Sequence, residues 1–408
     1  MQALISFEEA RRLVLDVVPQ QPQELVDLEQ ALGRTLARSV RSPCDIPPFD
    51  NSAMDGYAVR VADLADLPAD LIVGEEIAAG QYPERTVTSG TCSEIMTGAP
   101  LPHGADAVVP VEWTHQTKNG SVQINQAVQP GAHVRPAAGD VQKGQVIFEQ
   151  GQVVTPPVVA MLAMLGIANV PARSAPRVAI IATGSELVNV SEEPGQGQIR
   201  NANGPALSAQ VQTAGGVPLP PLLSTDGLQP LRAAAEKALD AEVLVFSGGV
   251  SVGKHDYVKE VLDAMGMETL FWKVRQRPGK PLVFGMLQGK PVFGLPGNPT
   301  AAAVCFEQYV RPALAAILGR KEILRPLYFA ELTAPVQKKS GLHYFSRGRI
   351  SSDDAGCLRV GIAGPQASGR YAAMTQANCI FHMPEPMENP PAGTRVQFEW
   401  LTWGSPIT

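Results

Sequence analysis

EVLVFSGGVSVGKHDYVKEVLDAM, residues 242–265, sets an apolar strand-like run, a glycine-rich turn and a helical pattern in immediate succession. Short β-branched runs bounded by glycine read as strands, and the apolar spacing after residue 256 reads as a helix. The same order recurs between residues 176 and 320. RVAII (177–181) leads into ATGSEL (182–187), TLFWKV (269–274) leads toward RPGKP (277–281), and PVF (291–293) leads into GLPGNPTAAA (294–303). Helical segments near 204–214, 228–240 and 256–265 separate several of these strands, and a long one begins at Pro299. Alternation of this kind predicts an α/β domain with a largely parallel sheet, whose ligands bind where the strand-to-helix loops gather.

Outward from this block the text changes character on both sides. Toward the N-terminus, Ser6 and Glu9 have capping-box spacing ahead of Phe7, Ala10, Val14 and Val17 on one helical face, and a second amphipathic stretch runs from Leu28 to Val40. From Pro43 to about residue 145 the pattern is strands and turns, with Asn119-Gly120 as a hairpin signal. A helix is expected after Pro156-Pro157, folding back on the N-terminal helices. The expected division is a discontinuous helical domain (1–42 and 146–175), an all-β domain (43–145), an α/β domain (176–325) and a C-terminal β domain, barrel-like, at 326–408.

Composition excludes several classes. The formal net charge is -6 and no Lys/Arg run exceeds two residues, so the chain is no phosphate-backbone binder and no nucleic-acid partner is expected. The five cysteines (Cys44, Cys92, Cys305, Cys357, Cys379) are scattered and never spaced as C-x-x-C, which fits reduced thiols in a cytoplasm. The first residues turn acidic and helical too early for a secretory signal, and the apolar stretch 158–170 is too short for a bilayer span. A cytoplasmic protein without membrane attachment is the expectation.

The four loops carry the chemistry. Glycine lets backbone amides approach an anion, and a helix N-terminus adds partial positive charge. Asn298-Pro299 reads as an N-cap and first-turn pair. One loop such as SGGVSVG could be an ordinary turn, but four after apolar strands point to an anionic ligand. On a continuous strand FWKVRQR, Lys273, Arg275 and Arg277 would share a face with Lys280 close behind, either as an oxyanion site or as a solvated basic edge. Glu186, Asp226 and Asp256 follow strands of the same domain. Asp256 could simply cap the helix behind it; together the three carboxylates suit Mg²⁺, which prefers a few carboxylates plus ligand oxygens.

With PPFDNSAMDGYAV (47–59), EIMTGAPLPHGADAVV (94–109), SGGVSVGKHDY, RPGKP and GLPGNP in this order, the chain resembles the MoeA family of molybdopterin molybdenumtransferases, known in animals as the E domain of gephyrin. The resemblance implies a four-domain homodimer with the site shared between subunits. The implied reaction is insertion of molybdate into adenylyl-molybdopterin with release of AMP, dependent on Mg²⁺, the substrate coming from a separate molybdopterin adenylyltransferase. By the same resemblance, Asp55, Thr97, Arg135 and Asp140 belong to the trans-acting β domain. Glu186, Asp226 and Asp256 match acidic positions tied to the cation and substrate; Ser247, Gly248 and Gly249 match the phosphate loop. Lys273, Arg277 and Lys280 match the basic group, Pro296 and Pro299 shape the neighbouring loop, and Arg347 and Ser368 match C-terminal positions around molybdate. Arg277 stands where the family usually has Lys, Ala301 where many members have Ser, and Arg275 is an extra charge. Neither G-x-G-x-x-G nor a Walker A sequence is present, which counts against a generic nucleotide enzyme. A non-catalytic scaffold is the other rival, since fold alone does not establish chemistry.

Overall fold

The computed structural model describes residues 4–117, 119–250, 257–367 and 369–403. The chain forms two compact units, one of Met1–Arg38, Gln150–Val159 and Ala168–Thr408, the other of Ser39–Glu149 and Ala160–Ile167.

At the centre of the larger unit is a seven-stranded sheet. Val217–Pro218, Leu222–Ser224, Arg177–Thr183, Val243–Ser247 and Lys290–Leu295 run parallel; Val283–Leu287 is antiparallel to Lys290–Leu295 and to the edge strand Glu268–Trp272. Both faces are buried, which is why the strands read as unbroken apolar runs rather than alternating ones. Val178, Ile180, Val243 and Val245 face the helices Asn203–Ala214 and Arg311–Ile317, whereas Ala179, Ile181, Leu244 and Phe246 face Leu228–Ala238 and Tyr257–Ala264. The helix from Pro299 runs on to Ile317 through one π turn at Phe306–Val310.

Five further strands, Tyr328–Leu332, His343–Ser352, Leu358–Ile362, Cys379–Met383 and Arg395–Trp400, close on themselves as a barrel, because His343–Ser352 pairs with both Leu358–Ile362 and Cys379–Met383. Closure leaves no free edge among these five. The two-residue strand Gln276–Arg277 joins the barrel beside His343–Tyr344.

The N-terminal helix, Phe7–Val17, begins where the capping-box spacing placed it, with Ser6 Oγ accepting from Glu9 N. Leu28–Val40 departs from its helical reading. Only Leu28–Gln30 coils, as a 3-10 turn; Gly33 then takes a φ of 78° and the chain extends, Thr35 bridging Val153 and Leu36 bridging Ala172. Leu36, Ala37 and Val40 are buried along this extended run rather than on a helix face, and Leu32 is exposed. Gln23–Asp27 pairs with Asn169–Arg173, so residues on either side of the 39–149 stretch meet.

In the smaller unit, six strands form a sheet around Tyr57, Leu71, Val109, Val122 and Ile124. The hairpin signal at Asn119-Gly120 lies between Thr114–Gln116 and Ser121–Ile124, which pair antiparallel. Ahead of this hairpin, Val111–Trp113 coils as a 3-10 turn. No described helix is long and apolar enough to cross a membrane.

Candidate active site

At the carboxyl ends of the parallel strands the loops enclose a cavity of about 560 Å³. Thr183, Gly184 and Glu186 come from the first loop, Asp226 from the turn after Leu222–Ser224, Ser247, Gly248 and Gly249 from the second loop, and Pro296, Gly297 and Pro299 from the fourth. The third contributes only Pro281. Parallel pairing of Arg177–Thr183, Val243–Ser247 and Lys290–Leu295 brings these sequence-distant turns to one edge.

Local sequence explains the shape. Gly248 has a φ of 98°, and a Cβ there would lie 2.3 Å from the Thr183 carbonyl oxygen, so only glycine lets these two loops meet. Ser185 N donates to Asp226 Oδ2 at 3.0 Å while Asp226 N donates to Ser185 Oγ at 3.1 Å. That reciprocal pair fixes the Asp226 carboxylate and commits only one of its oxygens. The Glu186 carboxylate lies against Gly184, where a Cβ would sit 2.7 Å from its oxygens.

Two carboxylates in a cavity lined by loop backbone make a donor set suited to Mg²⁺, which takes one or two carboxylates and completes its shell with substrate oxygens and water. The third acidic position, Asp256, lies outside the described residues, as does Ser368. Among the described residues no cluster of three or more metal-ligating side chains occurs.

The basic residues are divided. Lys273 has a φ of 81° and ends the edge strand, so the shared face expected of Lys273, Arg275 and Arg277 does not exist; alternation fails once the backbone leaves the extended region. The Lys273 ammonium instead lies 4.5 Å from the centre of the Trp272 ring. Arg275, the extra charge, turns away to Glu385 (Nε to Oε2, 2.9 Å). Lys280 is exposed and borders neither cavity described here.

Arg277 lines a second cavity, of about 210 Å³, with Tyr344, Ser346, Arg347 and Gln366 on the barrel. Its guanidinium is 5.4 Å from the centre of the Tyr344 ring. Arg347 is 2% exposed, and its guanidinium donates to Thr300 Oγ1 (3.2 Å) and to the Arg370 (3.3 Å) and Pro365 (2.9 Å) carbonyls. Burial without a carboxylate pushes its pKa down from the ordinary arginine value. Ala301, in the same turn as Thr300, is buried. Asn298 stands at the N-cap with Pro299 in the first turn, as the sequence predicts, but its side chain makes no cap hydrogen bond and its Oδ1 is buried without a partner among the described residues.

In the smaller unit, Asp55 and Thr97 meet. Asp55 Oδ1 accepts from Thr97 N and from Thr97 Oγ1, each at 2.7 Å, and these bonds hold the carboxyl below its usual pKa. Arg135 and Asp140 are both exposed. Burial pushes the Cys92 and Cys305 thiols up to about 12, so neither is a thiolate nucleophile near neutral pH.

The segment 199–203 lines the cavity but escaped the sequence reading, and its polar members are Arg200, Asn201 and Asn203. They follow Ile199, where Ile199–Arg200 pairs parallel with Leu187–Val188, and Asn201 Oδ1 accepts from Gly204 N at the helix start. The asparagines of NANG, both of a type that favours helix starts, were the available signal.

Known proteins share this architecture. Residues 5–166 match the MoeA N-terminal region (domain I and II), 179–316 a probable molybdopterin binding domain, and 330–401 the MoeA C-terminal region (domain IV). Molybdopterin molybdenumtransferase 2 of Mycobacterium tuberculosis is 37% identical over 97% of this chain and 100% of its own. The molybdopterin molybdenumtransferase of Haemophilus influenzae is 34% identical over 97% of this chain and 98% of its own. The crystal structure of the molybdopterin biosynthesis MoeA protein of Pyrococcus horikoshii superposes with a TM-score of 0.83 at 30% identity, covering 98% of this chain and 100% of that one. With relatives this similar over nearly its whole length, the chain belongs to the MoeA family of molybdopterin molybdenumtransferases.

Proposed function

We propose that this chain is a transferase of molybdenum cofactor biosynthesis that inserts molybdate into adenylyl-molybdopterin and releases AMP. The observation that carries the reading is the meeting of glycine loops with Glu186 and Asp226 in one cavity at the carboxyl ends of the parallel strands. Loop backbone suits phosphate oxygens, and carboxylates beside it suit a divalent cation rather than the bare anion. Glu186 and Asp226 would hold Mg²⁺, which when bound neutralises phosphate charge as AMP departs.

The remaining work belongs to the chain's own groups. Ser247, Gly248 and Gly249 orient the phosphate, and Asp226 is held in place by Ser185. Arg277 supplies exposed positive charge beside the second cavity, suited to a molybdate dianion, and Arg347 fixes that cavity's wall. No protein nucleophile enters the scheme, so catalysis is positioning and electrostatics. A homodimer, and a separate adenylyltransferase supplying the substrate, complete the proposal.

The test is reconstitution: purified protein, adenylyl-molybdopterin, molybdate and Mg²⁺, with AMP and molybdenum-loaded pterin both measured. Their appearance in equal amounts supports the reading. Absence of both with active substrate refutes it, and AMP release without molybdenum transfer would leave only a hydrolase.

A further inference from the structure

Asn203 opens the helix Asn203–Ala214 and is more than nine-tenths buried while lining the larger cavity. Its amide nitrogen lies 2.7 Å from Ser247 Oγ and 2.7 Å from the Gly297 carbonyl oxygen. Ser247 ends the parallel strand Val243–Ser247, and Gly297 lies in the loop after its neighbour Lys290–Leu295. A carboxamide NH₂ has two protons, one for each partner; the reversed amide would set its oxygen against the Gly297 carbonyl. The orientation is therefore fixed by chemistry.

A consequence follows for Ser247. Its oxygen accepts from Asn203, so its own proton must point elsewhere. Among the described residues it has the Pro296 carbonyl at 3.4 Å, well beyond the usual O–H···O range of roughly 2.5–3.0 Å. A phosphate oxygen entering the cavity is the better acceptor for that proton.

We propose that Asn203 is a positioning residue that ties the 247–250 and 294–299 loops together and sets Ser247 as a hydrogen-bond donor to the phosphate of the bound pterin. The second half rests on the proposed function; the tie itself does not. Asn203 touches Ser247 and Gly297 and acts through them.

Asn203→Asp is the sharpest variant. It keeps the shape, and a carboxylate near a helix N-terminus is favourable, so the helix should hold. Yet its oxygens would face the Gly297 carbonyl and take the Ser247 proton for themselves. Hydrogen exchange should speed up roughly tenfold at amides of 247–250 and 294–298, while the sheet strands stay as in the parent. Half-saturating adenylyl-molybdopterin should rise roughly tenfold to hundredfold, with half-saturating molybdate moving less than about twofold. In a Ser247→Ala background the same substitution should alter pterin half-saturation less than about threefold, because its route has been removed.

Unchanged exchange in both loops overturns the tie. An undiminished effect in the Ser247→Ala background overturns the donor role of Ser247. If the parent protein releases no AMP, the functional reading fails while the exchange measurement still decides the tie. Asn203→Ala removes both donors without adding charge and should show the same exchange pattern, covering the case in which Asn203→Asp does not fold.

Discussion

Two carboxylates against one guanidinium, Arg200, line the larger cavity, and two guanidiniums line the smaller, so the two differ in charge and in how they anchor it. At the ends of the parallel strands, Glu186 and Asp226 are exposed side chains amid loop backbone. On the barrel, Arg277 and Arg347 border a smaller hollow, and only Arg277 is exposed. Arg347, though it lines the hollow, commits three of its five donors inward to Thr300, Pro365 and Arg370. A charged residue in a recognisable motif is therefore not automatically a ligand contact. Arg277 is open to solvent beside the hollow, whereas Arg347 is built into its wall.

The largest effect expected from this division is at the acidic cavity. Glu186→Gln combined with Asp226→Asn should cut AMP release at least roughly a hundredfold, as loss of charge stabilisation at a reacting phosphate does. Excess molybdate should not restore it. Recovery by molybdate would show that the two cavities do not divide the work.

Next are the two arginines, which should separate. Arg347→Ala removes a buried side chain and takes the donor from one buried hydroxyl, Thr300, and two part-buried carbonyls, Pro365 and Arg370, and should destabilise the fold by about 2–4 kcal/mol in denaturant titration. Arg277→Ala, at an exposed position, should change stability by less than about 0.5 kcal/mol yet raise half-saturating molybdate roughly tenfold or more. Equal stability losses would erase the distinction between wall and contact.

A smaller effect comes from His343, on the strand that also bears Tyr344 and Arg347. Burial, followed by His382, Lys338 and Arg11, pushes its pKa down to about 3 from 6.5. The unfolded chain then binds a proton that the folded chain refuses. Stability is full above about pH 6.5 and falls as pH drops toward 3, with a slope near 1.4 kcal/mol per pH unit for one group. Urea titrations at pH 7 and 5 should show a drop that His343→Gln largely removes. An identical drop in that variant would place the titrating group elsewhere.

Much of this arrangement was legible in the sequence. The strands RVAII and EVLVF were readable because both of their faces are buried, and the glycine loops were readable because close approach leaves glycine no substitute at Gly248. Charge placement was not. The positive φ of Lys273 cancels a face that alternation would have given, and Arg275 finds Glu385 110 residues away. Asn203 lacked an apolar strand before it and so carried no loop signature; its partners, Ser247 and Gly297, are distant in sequence.

The smallest effect is expected at Ala301. A serine there adds one neutral hydrogen bond, worth about 0.5–1.5 kcal/mol if molybdate reaches it, so half-saturating molybdate should fall roughly twofold to tenfold in Ala301→Ser. Ala301 is buried, however, and the new hydroxyl can instead bond a helix carbonyl one turn back, in which case the molybdate titration stays as in the parent.

The most direct measurement compares Asp226→Asn with Arg277→Ala in one assay of AMP release, each titrated with adenylyl-molybdopterin and with molybdate. Division of labour between the cavities predicts crossed results: Asp226→Asn loses turnover or pterin affinity at unchanged molybdate half-saturation, and Arg277→Ala shifts molybdate half-saturation alone. Parallel shifts in both titrations for both variants would contradict it.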